Sequence, residues 1–174
     1  IVYQDPENET TMQFLVESLT QTIASANTTY VIPFSHYPFM CSDPQLNPNC
    51  SYQYQIMYPI MQVLYQFSNI PLYLSGHAHL YERQFPVNLA GQVVDSNLFG
   101  YNNLKVPVMI LEGAAGTNNS FTTSTYSLQP FTAVSSILTG FGIFNVSSEG
   151  IFYRHILAVN CTVADSFTLT YFPP

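Results

Sequence analysis

Ile70-Pro71-Leu72-Tyr73-Leu74-Ser75-Gly76-His77-Ala78-His79-Leu80-Tyr81-Glu82-Arg83 reads as a short apolar strand, Ile70 to Leu74, opening into a polar turn that carries two histidines. Histidines at i and i+2 on extended chain point to the same side. Gly76 before them removes a side chain where backbone approaches a ligand. H-x-H alone is a weak signal, and its bland reading is a polar turn. It gains weight from a third histidine at a second strand exit. Tyr30-Val31-Ile32-Pro33-Phe34 reads as a buried strand, with Pro33 at a donor-free position near its end, and His36 falls just past it.

Helices are expected between these strands. From Thr10 to Ala26, Met12, Leu15, Val16, Leu19 and Ile23 keep helical spacing, with a cap at Thr10 or Thr11 and Asn27 closing the helix. After a loop from Ser35 to Ser51, a second helix is expected over about Gln55 to Phe67. Ile56, Ile60, Val63, Leu64 and Phe67 lie on one side, and Pro59 is tolerable in the first turn. Helices alternating with strands imply an α/β fold with a parallel sheet. Sites in such sheets gather outside the carboxyl ends of the strands, so neighbouring strands bring His36, His77 and His79 to one rim.

Beyond Val87 the helical signal fades. Gly91-Gln92-Val93-Val94 suggests a short hairpin, and Val106 to Leu111 a buried strand ending in Glu112-Gly113-Ala114-Ala115-Gly116. Residues 117–136 read as a long exposed loop. Phe141 to Val146, Ile151 to Val159 and Ser166 to Phe172 read as closing strands, mostly antiparallel, with Phe167, Leu169 and Tyr171 on one face.

The 174 residues fit one domain. Only 7% are charged and the net charge is −7, which argues against nucleic acid or an anionic membrane as a partner, because counterion release needs several cations. No apolar run reaches the length of a membrane span. The chain begins at Ile1 with no signal-peptide pattern and reads as cut from something longer. Six N-x-S/T triplets, at Asn8, Asn27, Asn49, Asn118, Asn145 and Asn160, are candidate glycan acceptors and point to secretion or an endomembrane compartment. Asn160-Cys161-Thr162 lies in an apolar stretch and is expected to be buried and unmodified. Cys41 and Cys50 bracket a Pro/Asn loop, a natural span for a local disulfide. Cys161 is left as a buried thiol or the partner of a cysteine outside this chain.

Three neutral imidazoles suit Zn²⁺, Fe or Mn²⁺, and a three-His mononuclear site with an open water position is one arrangement. The nearby acids Asp43 and Glu112 could assist but have no diagnostic spacing; Asp43 is read first as a cap for the cysteine loop and Glu112 as serving the fold. His155, amid apolar strand residues, is read as structural.

Gly76-His77-Ala78-His79-Leu80-Tyr81-Glu82-Arg83 resembles the G-H-x-H-x-Y-E-R signature of purple acid phosphatases, in the calcineurin-like metallophosphoesterase superfamily. Ser35-His36-Tyr37-Pro38-Phe39-Met40-Cys41-Ser42 is similar to the H-R-P-M-Y-C-S segment of the long animal-type members. The likeness extends to Val106-Pro107-Val108, to Gly113-Ala114-Ala115-Gly116 and to Asn160-Cys161-Thr162.

The resemblance implies half of an αββα sandwich, with parallel βα units first and antiparallel closing strands after. It implies a binuclear acid phosphatase acting on phosphate monoesters through a metal-held hydroxide. His36 and His77 would ligand a divalent ion (Zn²⁺, Fe²⁺ or Mn²⁺) and His79 the Fe³⁺, with Gly76, Tyr81, Glu82 and Arg83 supporting the loop. Tyr37 stands where the family usually has Arg, and residues 42–51 lack the extra histidine of plant-type members. The upstream G-D-x-G, G-D-x-x-Y and G-N-H segments, which bring Asp, Asp, Tyr and Asn ligands, do not occur in the sequence. Residues 1–174 therefore correspond to the C-terminal half of a catalytic domain. The chain is then a fragment inactive alone or a non-catalytic relic; a mononuclear zinc hydrolase leaves the family likeness unexplained.

Overall fold

The computed structural model describes residues 9–25, 28–42, 50–116 and 127–170. Asn8, Asn27, Asp43, Asn49, Asn118 and Tyr171 lie outside them. Three layers stack on one another. The first holds helices α1 (Glu9–Ala24) and α2 (Ser51–Leu64). The second is a mixed sheet in the order β1 (Leu72–Ser75), β4 (Val108–Glu112), β2 (Tyr81–Gln84), β5 (Thr132–Ser136). The third is a sheet in the order β3 (Gly100–Asn102), β8 (Val163–Thr170), β7 (Gly150–Leu157), β6 (Gly140–Val146).

The period of two along β4 builds both interfaces. Met109 faces the helices and joins Phe39, Met57, Met61, Leu64 and Tyr73. Val108 and Ile110 face the other way, onto Ile151, Tyr153, Phe167 and Leu169 of the third layer. Covered on both faces, β4 is apolar from Val108 to Leu111, as strands at the centre of an α/β sheet are. β1 runs parallel to β4, and the closing strands β6, β7 and β8 pair antiparallel.

Several sequence expectations need correction. The strand at residues 30–34 reduces to one parallel bridge, Phe34 with Leu74. It is held by Leu74 N–H to Pro33 O and Ser35 N–H to Leu74 O, both 3.0 Å. The preceding rung needs a donor from Pro33, which has none. α2 begins four residues before Gln55, because Cys50 in left-handed conformation (φ 63°) turns the chain into it. Pro59 consequently lies in the helix interior, at a cost of about 3 kcal/mol. Burial of Met57, Ile60, Met61, Val63 and Leu64, at roughly 1.5–3 kcal/mol per side chain, outweighs it. In α1, Leu19 is buried but Val16 is exposed. The end of the supposed loop 117–136 is edge strand β5, paired antiparallel with β2. Its weak apolar content hid it, since backbone pairing holds the strand. β8 starts at Val163 and so includes Asp165.

Candidate metal centre

β1 and β2 flank β4 on opposite sides, so the five residues Gly76 to Leu80 must cross over the carboxyl end of β4. The crossing is tight. Gly113, just past β4, donates its N–H to Leu80 O at 3.0 Å, and a Cβ on Gly113 would lie 1.8 Å from Ala78 O. The loop makes the passage through two successive three-residue turns, Ala78 N–H to Gly76 O (2.9 Å) and Leu80 N–H to Ala78 O (2.8 Å). His77 and His79 occupy their corners. His77 is held at φ 68°, a region that costs a non-glycine residue about 1–2 kcal/mol. The histidines are therefore not on extended chain and do not share a side by simple alternation. His77 is half-buried; His79 is exposed.

His36 reaches the same place from the neighbouring segment. Gly76 N–H donates to His36 O at 3.1 Å, while Ser35 Oγ (2.6 Å) and Tyr73 Oη (3.0 Å) both donate to Tyr37 O. Thus anchored, His36 Nε2 lies 2.9 Å from His77 Nδ1. The Tyr37 ring stands edge-on to both imidazoles, with centroids 5.1 and 4.7 Å away. Beneath the loop a disulfide joins Cys41 and Cys50, and its buried sulfurs pack with Ala78, Leu80 and Leu111. From the first turn of α2, Gln53 brings its Nε2 to 3.2 Å from His77 Nε2.

The donor chemistry fits two corners of a metal site. Two imidazole nitrogens on one tetrahedral Zn²⁺ stand about 3.3 Å apart, a few tenths of an ångström wider than the pair here. Among the described residues, no group of three or more His, Cys, Asp or Glu could hold one ion. His79 is thus not brought into a cluster with the other two.

No family model matches the sequence, and no curated protein matches it. Solved structures do. Over 95% of this chain, a purple acid phosphatase, PPD1, from yellow lupin (Lupinus luteus) seeds superposes with a TM-score of 0.70 at 17% identity. GAP50, the anchor in the inner membrane complex of Plasmodium, superposes over 95% of the chain with a TM-score of 0.62 at 17% identity. The chain has part of a metallophosphoesterase fold. It spans 28% of the lupin chain and 43% of the Plasmodium one.

In this metallophosphoesterase-like fold the Tyr81-Glu82-Arg83 run serves both faces of β2. Glu82, fully buried, accepts from Ser42 N–H (2.8 Å), Ser42 Oγ (2.9 Å) and Thr132 Oγ1 (2.6 Å), which fixes the residue beside Cys41. Tyr81 and Arg83 face the third layer and converge on Asp165. Tyr81 Oη donates to Oδ2 at 2.5 Å, Arg83 Nε to Oδ2 at 2.6 Å, and another guanidinium N–H to Oδ1 at 3.0 Å. Burial alone would lower the Arg83 pKa, but the Asp165 bonds and charge carry it above its usual value. Burial and then the Asp165 charge hold the Tyr81 phenol well above 10.

Glu112 and His155 belong to the same interface. His155 is fully buried, stacks on Tyr81 at 3.8 Å, and meets Glu112 Oε1 through Nδ1 at 3.0 Å. Tyr153 Oη donates to the same oxygen. Gly140 and Gly142 make the room, since a Cβ at either would strike His155 or Glu112.

Of the glycan acceptors described, Asn145 and Asn160 are both exposed. The burial expected for Asn160 does not hold: it sits in the turn between β7 and β8, its Oδ1 accepting from Thr162 N–H and Oγ1. Cys161 is exposed, not a buried thiol. No described helix is long and apolar enough to cross a membrane.

Asp165 and Gln53 escaped sequence reading, and Gly113, part of the Gly113–Gly116 likeness, gave no sign of its packing under the histidine loop. Asp165 had a signal. Arg83 inside a fully buried strand requires a carboxylate, and Asp165 is the one acid in the last strand.

Proposed function

We propose that this chain is the C-terminal half of the catalytic domain of a binuclear-metal acid phosphatase acting on phosphate monoesters, and that it is inactive alone. The observation that carries the proposal is the 2.9 Å approach of His36 Nε2 to His77 Nδ1, from loops 41 residues apart. Both nitrogens end on one rim of a sheet whose fold is shared with a purple acid phosphatase. In this reading His36 and His77 hold the divalent ion and His79 contributes to the Fe³⁺ position. The remaining ligands come from a half this sequence does not contain.

Held by these histidines and by ligands from the other half, such ions would offer the chemistry of hydrolysis, a water made acidic at neutral pH and positive charge beside the phosphoryl group. The chain's own part is positioning. The crossing over β4 and the disulfide hold the His77 loop, and the Tyr37 ring walls the pair on one side. A secreted or endomembrane site of action is supported by the Cys41–Cys50 bond and by exposed Asn145 and Asn160.

A second reading, a module that keeps the fold without catalysis, is favoured by two observations. The same fold superposes on GAP50, the anchor in the inner membrane complex of Plasmodium, with a TM-score of 0.62, and among the described residues no third His, Cys, Asp or Glu joins the histidine pair. A mononuclear zinc site has the same gap.

The test is metal content and aryl-phosphate hydrolysis of the longer parent protein. His77→Ala should lose the divalent ion and most activity; retention of both removes the ligand assignment. A transcript with no Asp- and Asn-bearing half before Ile1 leaves the non-catalytic reading.

A further inference from the structure

Gln53 enters the histidine pair from α2, an element that the Gly76–Arg83 motif does not contain. Gln53 is 6% exposed. Its Nε2 lies 3.2 Å from His77 Nε2, on the ring edge opposite the nitrogen that faces His36. Its Oε1 is buried and has no hydrogen-bond partner among the described residues. A polar side chain held this far from water needs a reason to be polar.

The three side chains form one line: Gln53, His77, His36. With the amide nitrogen toward the ring, Gln53 donates to His77 Nε2, which must be the bare nitrogen. The proton of a neutral imidazole then sits on Nδ1 and is donated to His36 Nε2. A cation between His36 and His77 needs the opposite arrangement, with a lone pair on Nδ1 and the proton on Nε2. A carboxamide serves both states. Its oxygen and nitrogen fill nearly equal volumes, so turning the amide over presents Oε1 to accept from Nε2–H and gives the orphaned oxygen its partner. Leucine or methionine offers neither function, lysine only donates and glutamate only accepts.

We propose that Gln53 is the positioning residue of the His36–His77 pair, an amide that holds His77 as the Nδ1–H tautomer without metal and as the Nε2–H tautomer when a divalent cation is bound. This rests on the metal-site reading above and deepens it. Metal-bound histidines typically anchor their second ring nitrogen in this way, and removing such an anchor costs roughly 10–100-fold in metal affinity.

The experiment is long-range ¹⁵N–¹H imidazole spectroscopy of the longer parent protein, with and without saturating Zn²⁺, together with Zn²⁺ titrations. In the wild-type parent the His77 proton should move from Nδ1 to Nε2 on loading. Gln53→Met, nearly equal in volume, should lose the single metal-free tautomer and bind Zn²⁺ roughly 10–100-fold more weakly. Gln53→Glu should show Nε2–H in both states with affinity retained. A wild-type His77 that keeps one tautomer throughout overturns the proposal, and that measurement needs no variant to fold. His36→Ala separates the two ideas. If it abolishes binding while Gln53→Met binds as wild type, the role of Gln53 is wrong and the metal site stands. If His36→Ala leaves affinity unchanged, the metal site falls and the proposal with it.

Discussion

Replacing Asp165 with alanine should destabilise the protein severely, and the geometry sets the scale. Asp165 receives three donors, Tyr81 Oη and two guanidinium N–H groups of Arg83, and the two ionic side chains are 5% and 1% exposed. Once the carboxylate is gone, Arg83 keeps as hydrogen-bond acceptors among the described residues Tyr101 Oη and Leu98 O, both at 3.0 Å. Breaking a buried ion pair from one side costs about 3–5 kcal/mol, because the other charge stays desolvated. Domains of this size are stable by only about 5–15 kcal/mol. Urea denaturation of Asp165→Ala, Arg83→Met and the double variant reads the effect. The midpoint should fall with little change in slope. The double variant should recover much of the loss, giving a coupling of at least ~2 kcal/mol. An Asp165→Ala cost below ~1 kcal/mol, or strict additivity, would refute the idea that this pair clamps the two sheets.

Gly113→Ala forces its Cβ and Ala78 O apart by more than an ångström. It should cost about 1–3 kcal/mol and separate His77 from His36; an unchanged melting midpoint and unchanged histidine spectra would count against the tight crossing. Alkali should unfold the protein through its buried phenols. Burial raises Tyr73, Tyr81 and Tyr153 above 10 and Tyr101 to about 12. The native state then keeps protons that the unfolded chain loses near pH 10, so stability present below that pH falls as pH rises, by about 1.4 kcal/mol per unit per tyrosine. The part of the tyrosinate absorbance that belongs to these four phenols should appear together with loss of far-ultraviolet dichroism, and ionisation of all 13 tyrosines in a still-folded chain would contradict the burial. The chain alone should show negligible phosphatase turnover, loose metal binding and poor solubility, with Phe14, Phe34 and Phe99 all exposed. Two tightly held ions per chain, measured by elemental analysis, would contradict it.

Periodicity made much of this architecture readable. The apolar runs of β1 and β4 and the alternation of Phe167 and Leu169 located strands because burial on one or both faces writes itself into residue type. The edge elements were harder. β5 is held mostly by backbone pairing and by the hydroxyls of Thr132 and Ser135, which leave little apolar pattern, and Pro33 erases the donor that would make residues 30–34 a regular strand. At the site, motif spelling singled out the histidines but not their path. Extended chain and a pair of tight turns use the same letters, and only the passage over β4, with Gly113 beneath it, decides between them. Gln53 carried no signal, because a lone glutamine at a helix start is ordinarily solvated.

The central claim is that His36 and His77 share one ion. Crystals of the parent protein, measured at the absorption edge of its divalent metal, test it most directly. An anomalous peak in contact with His36 Nε2 and His77 Nδ1 is the predicted result. A peak touching neither nitrogen, or no peak on that rim in metal-replete crystals, would contradict the account.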